Sequence, residues 1–272
     1  MLNMENLTTS IKTKIKKLGR IVGLYISRTK TERKLLEKFV EKFKVIDGGI
    51  TLIRMGGDYD GGYLVPDDLE GIKYCFSPGV SNIANFELDC LNKGIISFLA
   101  DYSVDRPPLK LPGCHFLKKF VGAYNNETTV TLEKWISESL PPDYKDDLMM
   151  QMDIEGAEYE TLLATPDSIL EKFRVILVEF HNFHHLDNKP FYNMVYATIE
   201  KIRERFEPVH LHANNYERVS NVNGVLMPNV IEVTFLRKDR VKDNKRKREL
   251  PHVLDLPNNP EWADVELPSI WK

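Results

Sequence analysis

Residues 148–159 of the 272-residue chain have the sequence LMMQMDIEGAEY, and this stretch decides the fold class. The nearly continuous apolar run 148–152 predicts a strand that is covered on both faces, as the strands of parallel sheets are. The run ends at Asp153, and the acids Glu155 and Glu158 then predict the first turn of a helix, where the helix dipole favours negative charge. A strand, a short turn and a helix in this order indicate an α/β fold.

Similar units lie on both sides of this stretch. Further apolar runs, separated by helical patterns, occupy residues 72–76, 95–100, 116–121, 175–180, 209–212 and 230–236. They predict a doubly wound, mostly parallel α/β sheet over residues 50–238, preceded by a helical extension, 1–49, and followed by a basic connector and an extended tail, 239–272. Ligands of such sheets bind beyond the carboxyl ends of the strands.

Composition excludes several classes of protein. The 37 lysines and arginines are balanced by 40 acids, and a net charge of −3 predicts no general attraction to nucleic acid. Three cysteines without CxxC spacing argue against a disulfide framework and fit a reducing, cytoplasmic location. No apolar run approaches the roughly 20 residues that a transmembrane helix needs.

The first thirty residues are basic, and their apolar residues recur at helical spacing. This pattern predicts an amphipathic helix. One interpretation is an arm that is solvated or packed against a partner. The other is peripheral contact with an anionic membrane surface through residues 11–30.

The loop after the first core strand, 76–82, is the candidate cofactor site, with Ser77, Gly79 and Ser81 as expected contacts. Gly79 would allow a ligand to approach the backbone closely. Asp101 follows 22 residues later at the end of the next strand, where a carboxylate can accept both hydroxyl protons of a ribose. A single glycine instead of GxGxxG disfavours NAD and FAD and favours S-adenosylmethionine, a cofactor without phosphate.

A second glycine-rich segment, RMGGDYDGGY at 54–63, precedes the first core strand. We expect it to cover the amino-acid end of the cofactor, with Arg54 or the backbone around Asp60 and Gly61 meeting the cofactor carboxylate. A plain hairpin turn is the alternative.

The candidate reaction site combines acids and histidines at predicted strand ends. Asp153 needs a partner, because a buried carboxylate is costly to leave unpaired. His181 and His212 are the candidate general bases, and Glu179 would orient one of them. A divalent-cation site formed by Asp153, Glu179 and His181 is the alternative.

Several of these segments resemble those of a known family. Residues 152–158, MDIEGAE, resemble the D-(I/V)-E-G-x-E signature of FkbM-type S-adenosylmethionine-dependent methyltransferases. Residues 54–63 resemble the R-x-G-x-x-x-D-G-G-Y motif of one branch, and 210–215 and 250–255 also resemble that branch. The resemblance covers roughly residues 50–260.

The resemblance implies a Rossmann-like, seven-stranded methyltransferase sheet with a reversed terminal hairpin, and O-methylation of sugar hydroxyls in glycans or small molecules. It would place Gly79 and Asp101 at the cofactor and Asp153 beside the transferred methyl. The sequence departs from the family at 77–81, where the glycine-rich first motif is SPGVS. Three other hypotheses remain: an NAD or nucleotide-sugar enzyme, a non-catalytic partner module, and methyl transfer to protein or lipid.

Overall fold

The computed structural model describes residues 30–80 and 82–272. In chain order the strands are β1 (Ile46–Gly48), β2 (Leu52–Met55), β3 (Tyr63–Pro66), β4 (Tyr74–Pro78), β5 (Ile96–Ala100), β6 (His115–Leu117), β7 (Phe120–Gly122), β8 (Thr129–Thr131), β9 (Leu148–Met152), β10 (Phe173–Phe180), β11 (Phe206–Ala213), β12 (Val219–Val222), β13 (Val225–Pro228), β14 (Ile231–Arg237) and β15 (Asp243–Lys247). The α-helices are α1 (Arg33–Val40), α2 (Asn85–Asn92), α3 (Leu132–Ser139), α4 (Glu158–Ala164), α5 (Asp167–Leu170) and α6 (Lys189–Arg205).

Seven strands form the central sheet, in the order β11-β14-β10-β9-β4-β5-β6. The strand β14 is antiparallel to both of its neighbours, and the other pairs are parallel. This arrangement confirms the predicted Rossmann-like methyltransferase sheet with a reversed terminal hairpin, formed here by β11 and β14. The chain winds from β4 to one edge and from β9 to the other, so the topological switch point lies between β4 and β9.

The two faces of the sheet are covered differently. Helices α3, α4 and α6 and the N-terminal α1 enclose a large apolar cluster on one face, and every residue of β9 and β10 is buried. A smaller cluster on the other face packs under the β2–β3 hairpin and α2. Burial on both sides explains why these strands are continuous apolar runs.

Both ends of the described chain join this core. Within the expected helical extension, 1–49, helix α1 ends at Val40, and Ile46 begins a strand that pairs with β15, inside the segment expected to be a connector. Trp271 is buried in the tail, with its ring 5.7 Å from that of Phe43 and 6.1 Å from that of Phe183. Full burial of such a side chain contributes about 2 kcal/mol, which anchors the end of the tail.

Two predictions concern residues outside the described ranges: the basic helix, of which only Lys30 is described, and the cofactor contact at Ser81. Across residues 30–80 and 82–272, no helix combines the length and the apolar character that crossing a bilayer requires.

Candidate active site

The ends of β4 and β9 touch at the switch point. The amide of Asp153 donates to the carbonyl of Pro78 over 3.2 Å. Gly79 has a φ of +86°, and a β-carbon there would lie 1.5 Å from the carbonyl oxygen of Asp153. Only glycine allows this approach, so the sequence-predicted glycine bend and strand-end aspartate belong to one site.

Three cavities open around this contact, and Asp153 and Glu155 line all three. The hairpin cavity, of about 250 Å³, lies against the 54–63 loop and is also lined by Asp60, Gly61, Tyr63, Gly79, Glu87 and Gln151. The aromatic cavity, of about 250 Å³, is also lined by Gly79, Ala100, Asp101, Ser103, Phe120 and Ile154. The histidine cavity, of about 400 Å³, is also lined by Asp60, Glu179, His181, Asn214, Tyr216 and Glu217.

The aromatic cavity brings together the two predicted ribose-site residues, Gly79 and Asp101. The carboxylate of Asp101 accepts hydrogen bonds from the backbone amide and the hydroxyl of Ser103, at 2.7 and 2.6 Å. Phe120 adds a half-exposed ring to the lining. The cavity therefore combines an oriented carboxylate with apolar walls.

A buried polar network forms the floor of the hairpin cavity. The hydroxyl of Ser77 donates to Oε1 of Gln151 over 2.7 Å and is also hydrogen-bonded to Glu87. Nε2 of Gln151 donates to the hydroxyl of Tyr63 over 3.1 Å. Burial raises the pKa of Glu87, the carboxyl group of this network. Ser77 thus lies beneath the cavity and does not line it.

Only part of the 54–63 segment lies where the sequence predicts a cofactor contact. Nε of Arg54 donates to the carbonyl of Gly57 over 2.6 Å, and Nη2 to that of Tyr59 over 3.4 Å, so Arg54 closes its own loop and does not line the hairpin cavity. Asp60 and Gly61 do line it. The Asp60 amide donates to the carbonyl of Asn258 over 3.1 Å, so the tail helps to hold this loop.

His181 lies at one corner of the histidine cavity in a defined orientation. Oε1 of the fully buried Glu158 accepts from the amides of Ile154 and Gly156, at 3.3 and 2.9 Å. Nδ1 of His181 lies 3.1 Å from the same oxygen, which acts as an acceptor, so Nδ1 carries the ring proton. In the neutral form of the ring, Nε2 then carries the lone pair.

That lone pair faces two carboxylates. Nε2 of His181 is 3.8 Å from Oδ1 of Asp153 and 3.5 Å from Oε1 of Glu179, which Asn214 holds through a 3.0 Å hydrogen bond. Together the three side chains offer ligand atoms that lie within 4.8 Å of one another. The structure thus assembles the predicted Asp153, Glu179 and His181 constellation.

Burial dominates the electrostatics of this corner. It raises the pKa of Asp153 to about 7, with Glu155 and Glu158 adding to the shift and His181 opposing it. The pKa of Glu179 is raised well above its usual range, again chiefly by burial and then by Asp153. Burial lowers the pKa of His181, but the hydrogen bond to Glu158 and the charges of Glu158, Asp153 and Glu155 together outweigh burial and leave the pKa raised.

His212, the other predicted base, lies elsewhere. It pairs across the strands with Glu232, which pairs in turn with Glu179. Its ring, however, contacts Glu232 and Asp264. The ring lines a separate cavity of about 220 Å³ under the tail. The sequence thus predicts correctly that His212 lies near the end of a strand, but the contacts of its ring come from the tail.

Comparison with known proteins supports the family resemblance. Residues 90–216 match the model of the family described as the methyltransferase FkbM domain. The matched range includes Asp101, Asp153, Glu179 and His181 and confirms the family resemblance found in the sequence.

Two solved structures have partial similarity to this chain, both at low sequence identity. The crystal structure of a fibrillarin/Nop5p complex is 12% identical, covers 62% of this chain and 74% of its own, and has a TM-score of 0.37. A putative DNA modification methyltransferase encoded within a prophage (E. coli) is 10% identical, covers 61% and 47%, and has a TM-score of 0.34. No curated protein sequence matches the chain significantly.

Sequence reasoning missed three residues of the candidate site: Tyr63, Glu87 and Gln151. Gln151 had one available signal, since it is the polar interruption of the apolar run 148–152. Glu87 lies in an ordinary helical pattern, and nothing local distinguishes it from a solvated glutamate.

Proposed function

We propose that this protein is an S-adenosylmethionine-dependent O-methyltransferase that acts on a sugar hydroxyl of a glycan or glycoconjugate. The observation that supports this best is the meeting of three cavities at Asp153. Methyl transfer needs a cofactor with two chemically different ends and an acceptor beside the point where they join. A junction at which Asp153 and Glu155 line all three cavities suits that requirement.

The two cavities on either side of Gly79 fit the two ends of the cofactor. The carboxylate of Asp101 suits ribose hydroxyls, and Phe120 and Ile154 supply apolar walls for an adenine ring. The carboxyl group of Asp60 in the hairpin cavity suits an ammonium group. When bound, S-adenosylmethionine supplies an electrophilic methyl group on a sulfonium.

The histidine cavity suits a polyhydroxylated acceptor. Amide and carboxyl side chains of Asn182, Asn214 and Glu217 line it and offer both donors and acceptors to hydroxyl groups. The half-exposed rings of Tyr216 and Trp262 lie side by side near it, with centroids 5.7 Å apart. Aromatic rings beside polar side chains suit a sugar, which has apolar C–H faces as well as hydroxyls.

The Asp153–Glu179–His181 corner would activate the acceptor oxygen. The oxygen–methyl bond forms as the carbon–sulfur bond breaks, and the hydroxyl must lose its proton. The lone pair on Nε2 of His181 faces the junction and can accept that proton, or it can bind a cation that acidifies the hydroxyl. Glu158 holds the ring in the required tautomer in either case.

Calorimetric titration of the full chain with S-adenosylhomocysteine and with NAD tests the cofactor assignment. We expect S-adenosylhomocysteine to bind, NAD not to bind, and Asp101→Asn to weaken binding about 10-fold through the loss of one charged hydrogen-bond acceptor. The exposed Asp105→Asn, which removes an ion pair with Lys118, is the matched control. Binding of NAD alone would indicate a nucleotide enzyme, and binding of neither compound would indicate a non-catalytic module.

Transfer of labelled methyl groups into separated glycan, protein and lipid fractions tests the acceptor class. We expect the label in the glycan fraction and its release with the sugars on acid hydrolysis. Label that appears only in protein or only in lipid would exclude the sugar hydroxyl and retain methyl transfer.

A further inference from the structure

We propose that Asp153, Glu179 and His181 bind a divalent transition-metal cation, and that Glu158 is the positioning residue that aims the histidine at it. The proposed cation site is supported by the positions of its side chains. Its role, to orient and acidify the acceptor hydroxyl, rests on the proposed methyl transfer.

The ligand atoms have suitable separations. Nε2 of His181 lies 3.8 Å from Oδ1 of Asp153 and 3.5 Å from Oε1 of Glu179. Metal–nitrogen and metal–oxygen bonds of about 2.0–2.2 Å place two ligands of one cation roughly 3–4 Å apart. Three side chains from the ends of two adjacent strands, β9 and β10, are therefore already near coordination geometry.

An unpaired oxygen points to a missing partner. Oδ1 of Asp153 is buried and has no hydrogen-bond partner, although it is one of the atoms that face Nε2 of His181. A buried carboxylate oxygen without a partner is costly, and buried charges are normally paired or bound to metals. A cation between Asp153, Glu179 and His181 would satisfy that oxygen.

The charge balance favours a cation as well. No lysine or arginine is among the described residues that line the three cavities, whereas Asp60, Asp153, Glu155 and Glu179 all line the histidine cavity. The guanidinium of Arg54 is taken up by carbonyls of its own loop. Four carboxyl groups therefore gather at this corner, and among the described lining residues only the two histidines, His181 and His184, can carry a positive charge.

Glu158 supplies a second, independent indication. It is fully buried, two backbone amides orient it, and it accepts from the ring nitrogen of His181 that faces away from the carboxylates. Histidine ligands of metals characteristically donate their other nitrogen to a carboxylate, which fixes the tautomer and raises the basicity of the ligating nitrogen.

The donor set narrows the choice of cation. One imidazole nitrogen with two carboxylate oxygens suits Mn²⁺, Fe²⁺ or Zn²⁺ better than Ca²⁺, which prefers oxygen ligands alone. Three protein ligands leave coordination positions open to the histidine cavity, where an acceptor hydroxyl would enter. The exposed carboxylate of Glu155, with Oε2 3.5 Å from Nε2, can pass the released proton to solvent.

Titration of the EDTA-treated full chain with Mn²⁺, followed by electron paramagnetic resonance of the free ion, tests the site. We expect about one equivalent to bind. Asp153→Asn and Glu179→Gln, which keep the side-chain shape, should each weaken binding at least 10-fold. Glu217→Gln removes a carboxylate from the same cavity but not from the ligand set and should leave the affinity unchanged.

Glu158→Gln tests the positioning role, with an expected 10- to 100-fold loss of affinity. The visible absorption bands of a Co²⁺-loaded sample report the metal's ligand environment, which general destabilisation would not change. We expect these bands to shift in Glu158→Gln. The unfolding midpoint of the metal-free variant should stay near that of the wild type.

Two results would overturn the cation site: Mn²⁺ and Zn²⁺ both failing to bind, or Asp153→Asn and Glu179→Gln binding as tightly as the wild type. If S-adenosylhomocysteine still binds in either case, the proposed methyl transfer survives and only the cation is rejected. Metal binding without any binding of S-adenosylhomocysteine would reject the methyl transfer and retain the cation site.

Discussion

Nε2 of His212 lies 3.3 Å from Oδ2 of Asp264 and joins strand β11 to the C-terminal tail. Nδ1 of the same ring is 3.7 Å from Glu232, which also accepts a hydrogen bond from the tail residue Asn258. The carbonyl of Asn258 in turn accepts from the amide of Asp60. The tail therefore connects β11 and β14 to the loop that lines the hairpin cavity.

This contact predicts a loss of stability in alkaline solution. Burial lowers the pKa of His212, but hydrogen bonds to Asp264 and Glu232 outweigh it and raise the pKa to about 10. Because the folded pKa exceeds the unfolded value of about 6.5, the stabilisation is complete below pH 6.5 and is lost as the pH rises towards 10. The full effect is on the order of 4 kcal/mol, measurable by urea unfolding at pH 6.5, 8 and 10.

His212→Gln is the control, because it removes the titrating group and leaves tyrosines and lysines to contribute their own pH dependence. We expect the wild type to lose more stability than the variant over this range. Parallel curves for the two proteins would show that His212 is neutral in the folded state.

The close approach of Gly79 to Asp153 predicts that Gly79→Ala is strongly destabilising. The added carbon would meet a backbone oxygen that no rotamer change can move, at a φ that favours glycine. We expect a loss of about 3 kcal/mol or more in the free energy of unfolding and a loss of S-adenosylhomocysteine binding.

Gly94→Ala separates the two causes, because Gly94 also has a positive φ, +77°, but nothing lies within 4 Å of the added carbon. Its cost should be only about 1 kcal/mol, the cost of the backbone conformation alone. Equal losses for both variants would mean that the contact with Asp153 relaxes freely.

The backbone conformation of Glu155 predicts that a substitution there increases stability but lowers activity. It is a non-glycine residue with a φ of +56°, whereas the other two such residues among those described, Asn182 and Asn223, are asparagines, which tolerate this region better. We expect Glu155→Asn to raise the free energy of unfolding by about 0.5–1 kcal/mol and to lower methyl transfer. Glu160→Asn, at an exposed position in the first turn of α4, should instead lower stability slightly.

Asp153→Asn should lower turnover at least about 100-fold while the far-ultraviolet circular dichroism and unfolding midpoint remain near those of the wild type. The amide keeps the shape of the side chain and loses its charge. Labelled methyl transfer measures the effect. Asp146→Asn, which removes an exposed ion pair with Lys73, is the matched control, and wild-type turnover in Asp153→Asn would remove that carboxylate from the reaction.

The sequence contained enough to locate the sheet edge and its acids. Asp101, Asp153 and Glu179 each lie at or next to the end of a continuous apolar run, and a polar residue at that point has a direct structural meaning in a parallel sheet. The reversed direction of β14 is predicted only from the family resemblance, because no local sequence pattern shows the direction of a strand.

Long-range contacts decide what the sequence could not show. Glu158 fits an ordinary acidic first turn, and its bond to His181 spans 23 positions. His212 lies at the expected edge, but its partner Asp264 comes 52 positions later in a segment expected to run over the surface. A side chain's partners in such cases depend on how distant segments pack, and periodicity carries no information about that.

The aromatic pair Tyr216 and Trp262, beside the histidine cavity, predicts how the acceptor binds. Tyr216 lines that cavity and is half exposed, so it can stack on a sugar face without a change in the core. We expect Tyr216→Ala to raise the KM for the glycan acceptor about 10-fold, which corresponds to about 1.4 kcal/mol, with a much smaller change in kcat.

The dissociation constant of S-adenosylhomocysteine should not change in Tyr216→Ala, because the aromatic and hairpin cavities do not include this ring. Tyr124→Ala, an equally exposed tyrosine that lines none of the three cavities, is the matched control and should leave both constants unchanged. A fall in kcat at constant KM would contradict the stacking role, since it would show that Tyr216 acts on the transition state and not on acceptor binding.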